Sequence, residues 1–259
     1  MWNVHRLTDP TEILAFLERD RLYAAYAIAD LEAEMLEHTH WYQAEAEGQA
    51  RSLALHFTAL DPDALFIMGD AAGLAVILGS ALRPRRVFVS AMPEHLMPLR
   101  SFYRLGQPER TVRMALDVHA FRPVSGQAIR LSPAYARQLE RLYSMGEGNA
   151  FSPYQVAQGV FYGVTDQDRL VSTAGTHVIS ETYGVAAVGN VFTHPTYRGQ
   201  GLGTLCTCAV VEELLARHIR TIVLNVHQDN EAARRIYQRI GFKEYCHYIE
   251  VLAERRHRR

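Results

Sequence analysis

The residues best suited to chemistry lie between Val188 and Gly203, in the run VGNVFTHPTYRGQGLG. An apolar stretch ends at Thr193, Pro195 blocks its continuation, and Gly199, Gly201 and Gly203 lead into a helical pattern. Glycines two residues apart reach φ values closed to other residues. Successive backbone N–H groups can then turn into one concavity that binds an anion. The following helix adds its positive N-terminal end. A pyrophosphate suits such a cradle. Arg198 and Gln200 add polar side chains, and Thr204 offers a hydroxyl in the first turn. A plain strand-to-helix turn would need one glycine rather than three. No Gly-Lys-Ser/Thr follows, which excludes a Walker loop. The Gly-x-Gly-x-Gly spacing, late in the chain, also departs from the dinucleotide fingerprint Gly-x-Gly-x-x-Gly.

A second set of candidates lies downstream. Asn230 and Tyr237 are two helical turns apart and fall nearly on one face, so one ligand edge can touch both. A phenol of pKa ~10 can donate to a developing thiolate whose acid has pKa ~8.5. Structural readings compete: Asn230 as a helix N-cap and Tyr237 as a core aromatic. Beside the glycine loop, the functional reading of both is preferred.

Together these stretches resemble the GNAT superfamily of acyl-CoA-dependent N-acyltransferases. Arg198-Gly199-Gln200-Gly201-Leu202-Gly203 looks like its Arg/Gln-x-x-Gly-x-Gly/Ala motif, and Asn190 to Pro195 resembles the strand leading into it. Leu224-Asn225-Val226, Asn230-Glu231-Ala232-Ala233, Ile236-Tyr237 and Ile240-Gly241-Phe242 resemble the second half of the pattern. The resemblance runs from Ala128 to Leu252, and the C-terminal lobe is also similar to that of glycine-N-acyltransferase-like proteins. It implies an α/β fold with a mixed sheet. It implies that Val191, Phe192 and Thr193 pair through their backbones with the pantetheine arm of acetyl-CoA. Arg198 and Gly199 through Thr204 (including Gln200, Gly201, Leu202 and Gly203) would hold the pyrophosphate. Asn225, Asn230 and Ala233 would complete the cofactor site, and Tyr237 would be the general acid. The implied activity is direct transfer of an acetyl group to a small-molecule or peptide amine. A longer acyl donor, or a non-catalytic acyl-CoA-binding regulator, are the alternatives.

The base is harder to place. A primary amine of pKa ~10.4 is protonated at neutral pH and must lose a proton before attack. Many relatives of this family offer a glutamate on the strand before the glycine loop, but here that strand reads Val185-Ala186-Ala187-Val188-Gly189-Asn190, without a carboxylate. Candidates are Glu147, His177 and Glu181, with His194 weaker and an ordered water as a substitute. A satisfied structural histidine is a competing reading of His177. Cys206-x-Cys208 followed by His218 resembles half a zinc site, but positions two apart on a helix point about 200° apart. No metal is expected.

These residues need elements to hold them. Strands alternating with helices from Arg51 to Val118, and again from Pro133 to Val251, indicate an α/β arrangement. The first segment reads as two helices, Thr11 to Arg19 and Arg21 to Leu36. A Pro-, Ser- and Gly-containing seam at Ala120 to Ala128 suggests two lobes, residues 1–124 and 125–259. The first lobe lacks the cradle: Gly69-Asp70-Ala71-Ala72-Gly73 has too few glycines and an acid where phosphates would sit. It reads as a degenerate GNAT-like or other α/β lobe that shapes the acceptor pocket or an oligomer interface, such as a homodimer's. The stretch Gly146 to Gln155 reads as an acceptor-side loop or a solvated connector, and Arg255 to Arg259 as a solvated tail.

Composition sets the outer limits. Over 259 residues, 27 basic and 28 acidic side chains nearly cancel, which argues against a nucleic-acid partner. Lys243 is the only lysine. Three cysteines cannot build a disulfide framework in a chain of this length. No apolar run approaches the ~20 residues of a membrane span, and the first residues lack the pattern of a secretory signal. A cytoplasmic protein without a membrane partner is expected.

Overall fold

The computed structural model describes residues 1–146 and 151–256. They form two compact units, Met1–Val112 with Cys246–Arg259, and Arg113–Tyr245.

The first unit contains β1 (Trp2–Leu7), α1 (Pro10–Leu17), α2 (Ala25–Ala29), β2 (Thr39–Ala46), β3 (Gln49–Phe57), β4 (Asp63–Gly69), α3 (Ala71–Ser80), β5 (Arg86–Ala91), α4 (Leu96–Phe102) and β6 (Tyr103–Leu105). β7 (Glu109–Leu116) begins in it. β1 through β4 form an antiparallel meander, and β5 joins β4 in parallel through the α3 crossover. The end of the last strand, β13 (Phe242–Arg255), adds antiparallel to β5. Leu65, Ile67, Leu74, Ile77, Val87, Val89 and Val251 fill the core.

The second unit holds β8 (Ile129–Arg130), α5 (Ala136–Tyr143), α6 (Pro153–Gln158), β9 (Phe161–Asp166), β10 (Arg169–Ser180), β11 (Val185–Thr193), α7 (Leu202–Ala216), β12 (Thr221–His227) and α8 (Glu231–Ile240). Its strands are ordered β12-β11-β10-β9-β8. β11 and β12 are parallel and the other pairs antiparallel. A mixed sheet with helical crossovers is the α/β fold expected from the alternation of elements. α7 packs on β9, β10 and β11, and its buried Cys206, Val210, Val211 and Leu214 form the packing face.

Three expectations are corrected. The sequence pattern does not mark β1 and β2 as strands. In β2 the inward positions include Thr39, Trp41 and Gln43, so polar residues break the apolar alternation that marks a strand. The helix expected over Arg21 to Leu36 shrinks to α2 and turns. Tyr23, Ala24, Ala25, Ala27, Ile28, Ala29 and Leu31 are all buried, so packing on every side, rather than one apolar face, holds this segment. Thirdly, Arg255 and Arg256 are docked instead of solvated. Arg255 donates to the carbonyl oxygens of Leu78 and Leu82, and Arg256 to those of Arg100 and Tyr103.

Candidate active site

The site begins where two parallel strands part. The β11–β12 ladder runs from Val185↔Thr221 to Val188↔Leu224 and stops there. Beyond it, β11 continues through Thr193 with β10 as its partner on the other side. Two bulges shape this stretch. Thr173 pairs with Phe192 and Gly175 with Gly189, so β11 carries one extra residue. Thr176 pairs with Val188 and Val178 with Ala187, so β10 carries one extra residue at His177. Asn190 sits in the first bulge at φ +51°, a conformation Asn tolerates better than most residues.

The bulge is held on several sides. Asn190 N–H donates to His177 Nε2 at 3.3 Å, and Tyr143 donates its hydroxyl to Asn190 O at 2.7 Å. Asn190 Nδ2 donates to Gln155 Oε1 at 3.3 Å. A Cβ at Gly189 would run into the His177 imidazole, so glycine is required by close approach. Burial pushes the His177 pKa below its ordinary value, keeping the ring neutral. Burial likewise raises the Tyr143 phenol. Tyr143 meets Phe151 and Phe192 at ring-centroid distances of 4.9 and 6.2 Å.

The glycine loop follows. Gly199 and Gly201 adopt φ +80° and +77°, and a Cβ at either would meet nothing within 4 Å. Backbone conformation alone therefore demands glycine there. Gly201 is the N-cap of α7 and supplies no side-chain cap. The helix thus presents uncapped N–H groups in its first turn, as an anion site needs. Arg198 donates through Nε to Thr193 O at 3.3 Å and lies over the Phe192 ring at 5.7 Å. Thr193 Oγ1 is paired with Ser172 Oγ at 2.8 Å.

Asn225 stands on β12 one residue past the last β11–β12 pair, and its Oδ1 is buried without a partner among the described residues. Asn230 caps α8 by accepting from Ala233 N at 3.1 Å, so the capping reading is correct for its Oδ1, while Nδ2 stays available. Tyr237, seven residues on, meets Phe242 edge-on at 6.1 Å. Burial pushes its phenol up to about 12.

The remaining candidates scatter. Glu147 lies outside the described residues. Glu181 pairs with Arg217 at 3.0 Å. His194 Nδ1 lies 2.8 Å from Thr196 Oγ1. Cys206 and Cys208 are buried in α7, and burial pushes the Cys206 thiol up to about 11. Among the described residues no cluster of His, Cys, Asp or Glu is arranged to hold a metal ion.

Two arginines without a local sequence signal also reach the site. A cleft of about 370 Å³ beside the loop is lined by Gln200, Gly201, Leu202, Thr204, Ile236 and Ile240, together with Arg122 and Arg239. Arg122 belongs to the seam at 120–128, where nothing in the local pattern marks it, and only folding brings it to the loop. Arg239 follows Tyr237 by two residues, so the helix that bears the phenol also carries a cation to the cleft. Gln155 and Tyr143 likewise carry no motif of their own.

Comparison with known proteins agrees with this geometry. Residues 129–242 match the sequence model of the acetyltransferase (GNAT) family. A mycothiol acetyltransferase from Thermomonospora curvata is 30% identical over 212 residues, covering 77% of this chain and 66% of that relative. The Escherichia coli K12 [ribosomal protein bS18]-alanine N-acetyltransferase is 27% identical over 105 residues, 40% of this chain and 64% of that one. Some matches are shorter: the aligned stretch spans 27% of a mycothiol acetyltransferase from Renibacterium salmoninarum. A tandem GNAT protein from the clavulanic acid biosynthesis pathway superposes with a TM-score of 0.57 at 14% identity, over 98% of each chain. The opened β11–β12 pair, the glycine turn into α7 and these matches agree, and residues 129–242 form a GNAT acetyltransferase domain.

Proposed function

We propose that the protein is an N-acetyltransferase that moves an acetyl group from acetyl-CoA directly to an amine. The observation that carries this reading is the unpaired β11 edge ending beside an α7 N-terminus that no side chain caps. An extended chain of amides can add along Val191, Phe192 and Thr193 as a strand would. Its diphosphate then reaches the N–H groups of Gly199 to Thr204, with Arg198 and Gln200 adjoining. Asn225, Asn230 and Ala233 border the arm, and Arg122 and Arg239 supply positive charge near the phosphates.

In the reaction the neutral amine nitrogen attacks the thioester carbonyl carbon, and the carbon–sulfur bond breaks as the amide forms. Tyr237 gives its phenolic proton to the departing sulfur. The nitrogen's surplus proton goes to His177, whose neutral ring can take it at Nε2 once the long bond from Asn190 N–H yields, or to Glu147. The products are the acetylated amine and the CoA thiol. In this reading the unit Arg113–Tyr245, which carries the glycine loop, is the donor domain, and the other unit is a degenerate GNAT-like lobe. The near-full-length superposition on a tandem GNAT protein supports that division. The relatives' names, a mycothiol acetyltransferase and a ribosomal protein bS18-alanine N-acetyltransferase, support a small-molecule or peptide amine. A cytoplasmic setting fits the free cysteines.

The test is acceptor-dependent release of CoA thiol across an amine panel that includes alaninamide, an alanine-initiated peptide and glucosamine. Release that needs both substrates, and that falls about 100-fold in Tyr237→Phe, is the expected result. Tight acetyl-CoA binding with no acceptor-dependent release from any amine would make this a binding protein instead.

A further inference from the structure

Asn190 has four polar groups, and the protein satisfies three. Its N–H donates to His177, its carbonyl accepts from Tyr143, and its Nδ2 donates to Gln155. The fourth, Oδ1, is buried and has no partner among the described residues, in a side chain whose residue is only 4% exposed. A buried acceptor left unpaired is costly and calls for a donor.

The amide cannot simply be turned around. Gln155 Oε1 accepts from the backbone N–H of Ser152 at 3.1 Å, and a backbone N–H can only donate. The Gln155 atom facing Asn190 is therefore an acceptor, and Asn190 must present Nδ2 to it. Ser152 and Gln155 form a capping box at the start of α6, so this orientation is built into a helix terminus. Oδ1 is left as the atom with work to do.

Its position names the donor. With the diphosphate at the glycine loop and the arm along Thr193 to Val191, the far end of the edge is Asn190, where the thioester must lie. The amides of the arm are taken up along Val191 to Thr193, and a thioester and an acetyl group carry no N–H or O–H. The incoming amine does. We infer that Asn190 Oδ1 accepts an N–H of the attacking nitrogen and so selects primary amines, holding the hydrogen that the product amide keeps while the other departs. This inference rests on the donor-site reading above.

The test needs no knowledge of the natural acceptor. Two CoA thioethers are compared by calorimetry, one bearing an N-methylacetamide group on sulfur and the other an N,N-dimethylacetamide group, which lacks the N–H. The wild-type protein is expected to bind the monomethyl compound about tenfold more tightly, the worth of one buried hydrogen bond. Asn190→Gly tolerates the positive φ and removes the amide. It is expected to bring the ratio near one, with CoA affinity unchanged to within about twofold. A wild-type ratio near one, or an equal ratio in wild type and Asn190→Gly, overturns the inference while leaving the donor site intact. Failure of CoA and both thioethers to bind the wild type overturns the donor-site reading instead.

Discussion

Tyr237 and His177 show what burial does to a site without a carboxylate. A phenol at about 12 is fully protonated at neutral pH, so the proton is always present to be given. Against a thiol of ordinary pKa ~8.5, however, transfer would be uphill by about 5 kcal/mol. The resolution is that the thiolate departs into the same desolvated space, which raises its own proton affinity. That is why Tyr237→Phe is expected to lower the rate of CoA release without weakening acetyl-CoA binding: the interaction matters as charge develops on sulfur. His177 has a pH signature. Its pKa is lowered from the ordinary 6.5 by burial, so below pH 6.5 the unfolded chain binds a proton that the folded one refuses. Stability is then full above 6.5 and is lost as pH falls toward the lowered folded value. Asp30 works in the opposite sense. Burial raises its carboxyl from 3.8 to about 7, so its contribution is present at acid pH and lost as pH rises through 7. Urea unfolding from pH 7.5 to 5 should therefore show a steeper acid-side loss in wild type than in His177→Gln, which removes one of these two groups. Parallel profiles would mean that His177 does not titrate differently on folding.

The elements around these residues differ in how far the local sequence betrays them. The strand, glycine turn and helix from Val185 to Ala216 are legible because each signal is local: apolar run, Pro195, glycines, helical spacing. The bulge at Asn190 is not, because it exists only through pairing with a second bulge at His177 on β10. Its partners Tyr143 and Gln155 lie 47 and 35 residues away in the chain. β2 is illegible for a different reason, its inward polar positions Thr39 and Gln43. The glycine turn itself yields a controlled experiment. Gly201 and Gly184 have φ of +77° and +64°, and a Cβ at either meets nothing within 4 Å. Alanine at each should cost about 1–2 kcal/mol of backbone strain. Gly184 lies in the turn before β11, far along the strand from the loop, whereas Gly201 begins α7. Gly184→Ala should lose stability and keep its acetyl-CoA affinity. Gly201→Ala should lose both, because a relaxed loop no longer aims its N–H groups at the diphosphate. Isothermal titration beside thermal unfolding separates the two, and equal acetyl-CoA affinity in both variants would remove the loop from the binding site.

At the scale of the whole molecule, chain order and compact units do not coincide. The last segment, from Cys246, leaves the unit that carries the glycine loop and completes the other one. There it pairs with β5 from Ile249↔Ala91 to Glu254↔Arg86. Ile249, Val251 and Ala253 are buried in that core. Arg255 closes the strand by donating to Leu78 O at 2.8 Å and Leu82 O at 3.3 Å, carbonyls at the C-terminal end of α3, where a cation is favoured. A chain that stops at Tyr245 should therefore damage the unit that lies first in sequence. Burial of Ile249 and Val251 alone contributes roughly 3–6 kcal/mol, at about 1.5–3 kcal/mol for each aliphatic side chain. β5 would also lose its β13 hydrogen-bonding partner and become an exposed edge. Since a domain's net stability is about 5–15 kcal/mol, that loss is enough to unfold the first unit at moderate temperature. Hydrogen exchange read peptide by peptide is the decisive measurement. Protection should vanish from β3, β4, α3 and β5 of the shortened chain while β10, β11 and α7 retain theirs. Uniform loss across both units would mean that they fold as one, and uniform retention would mean that the terminal strand is dispensable.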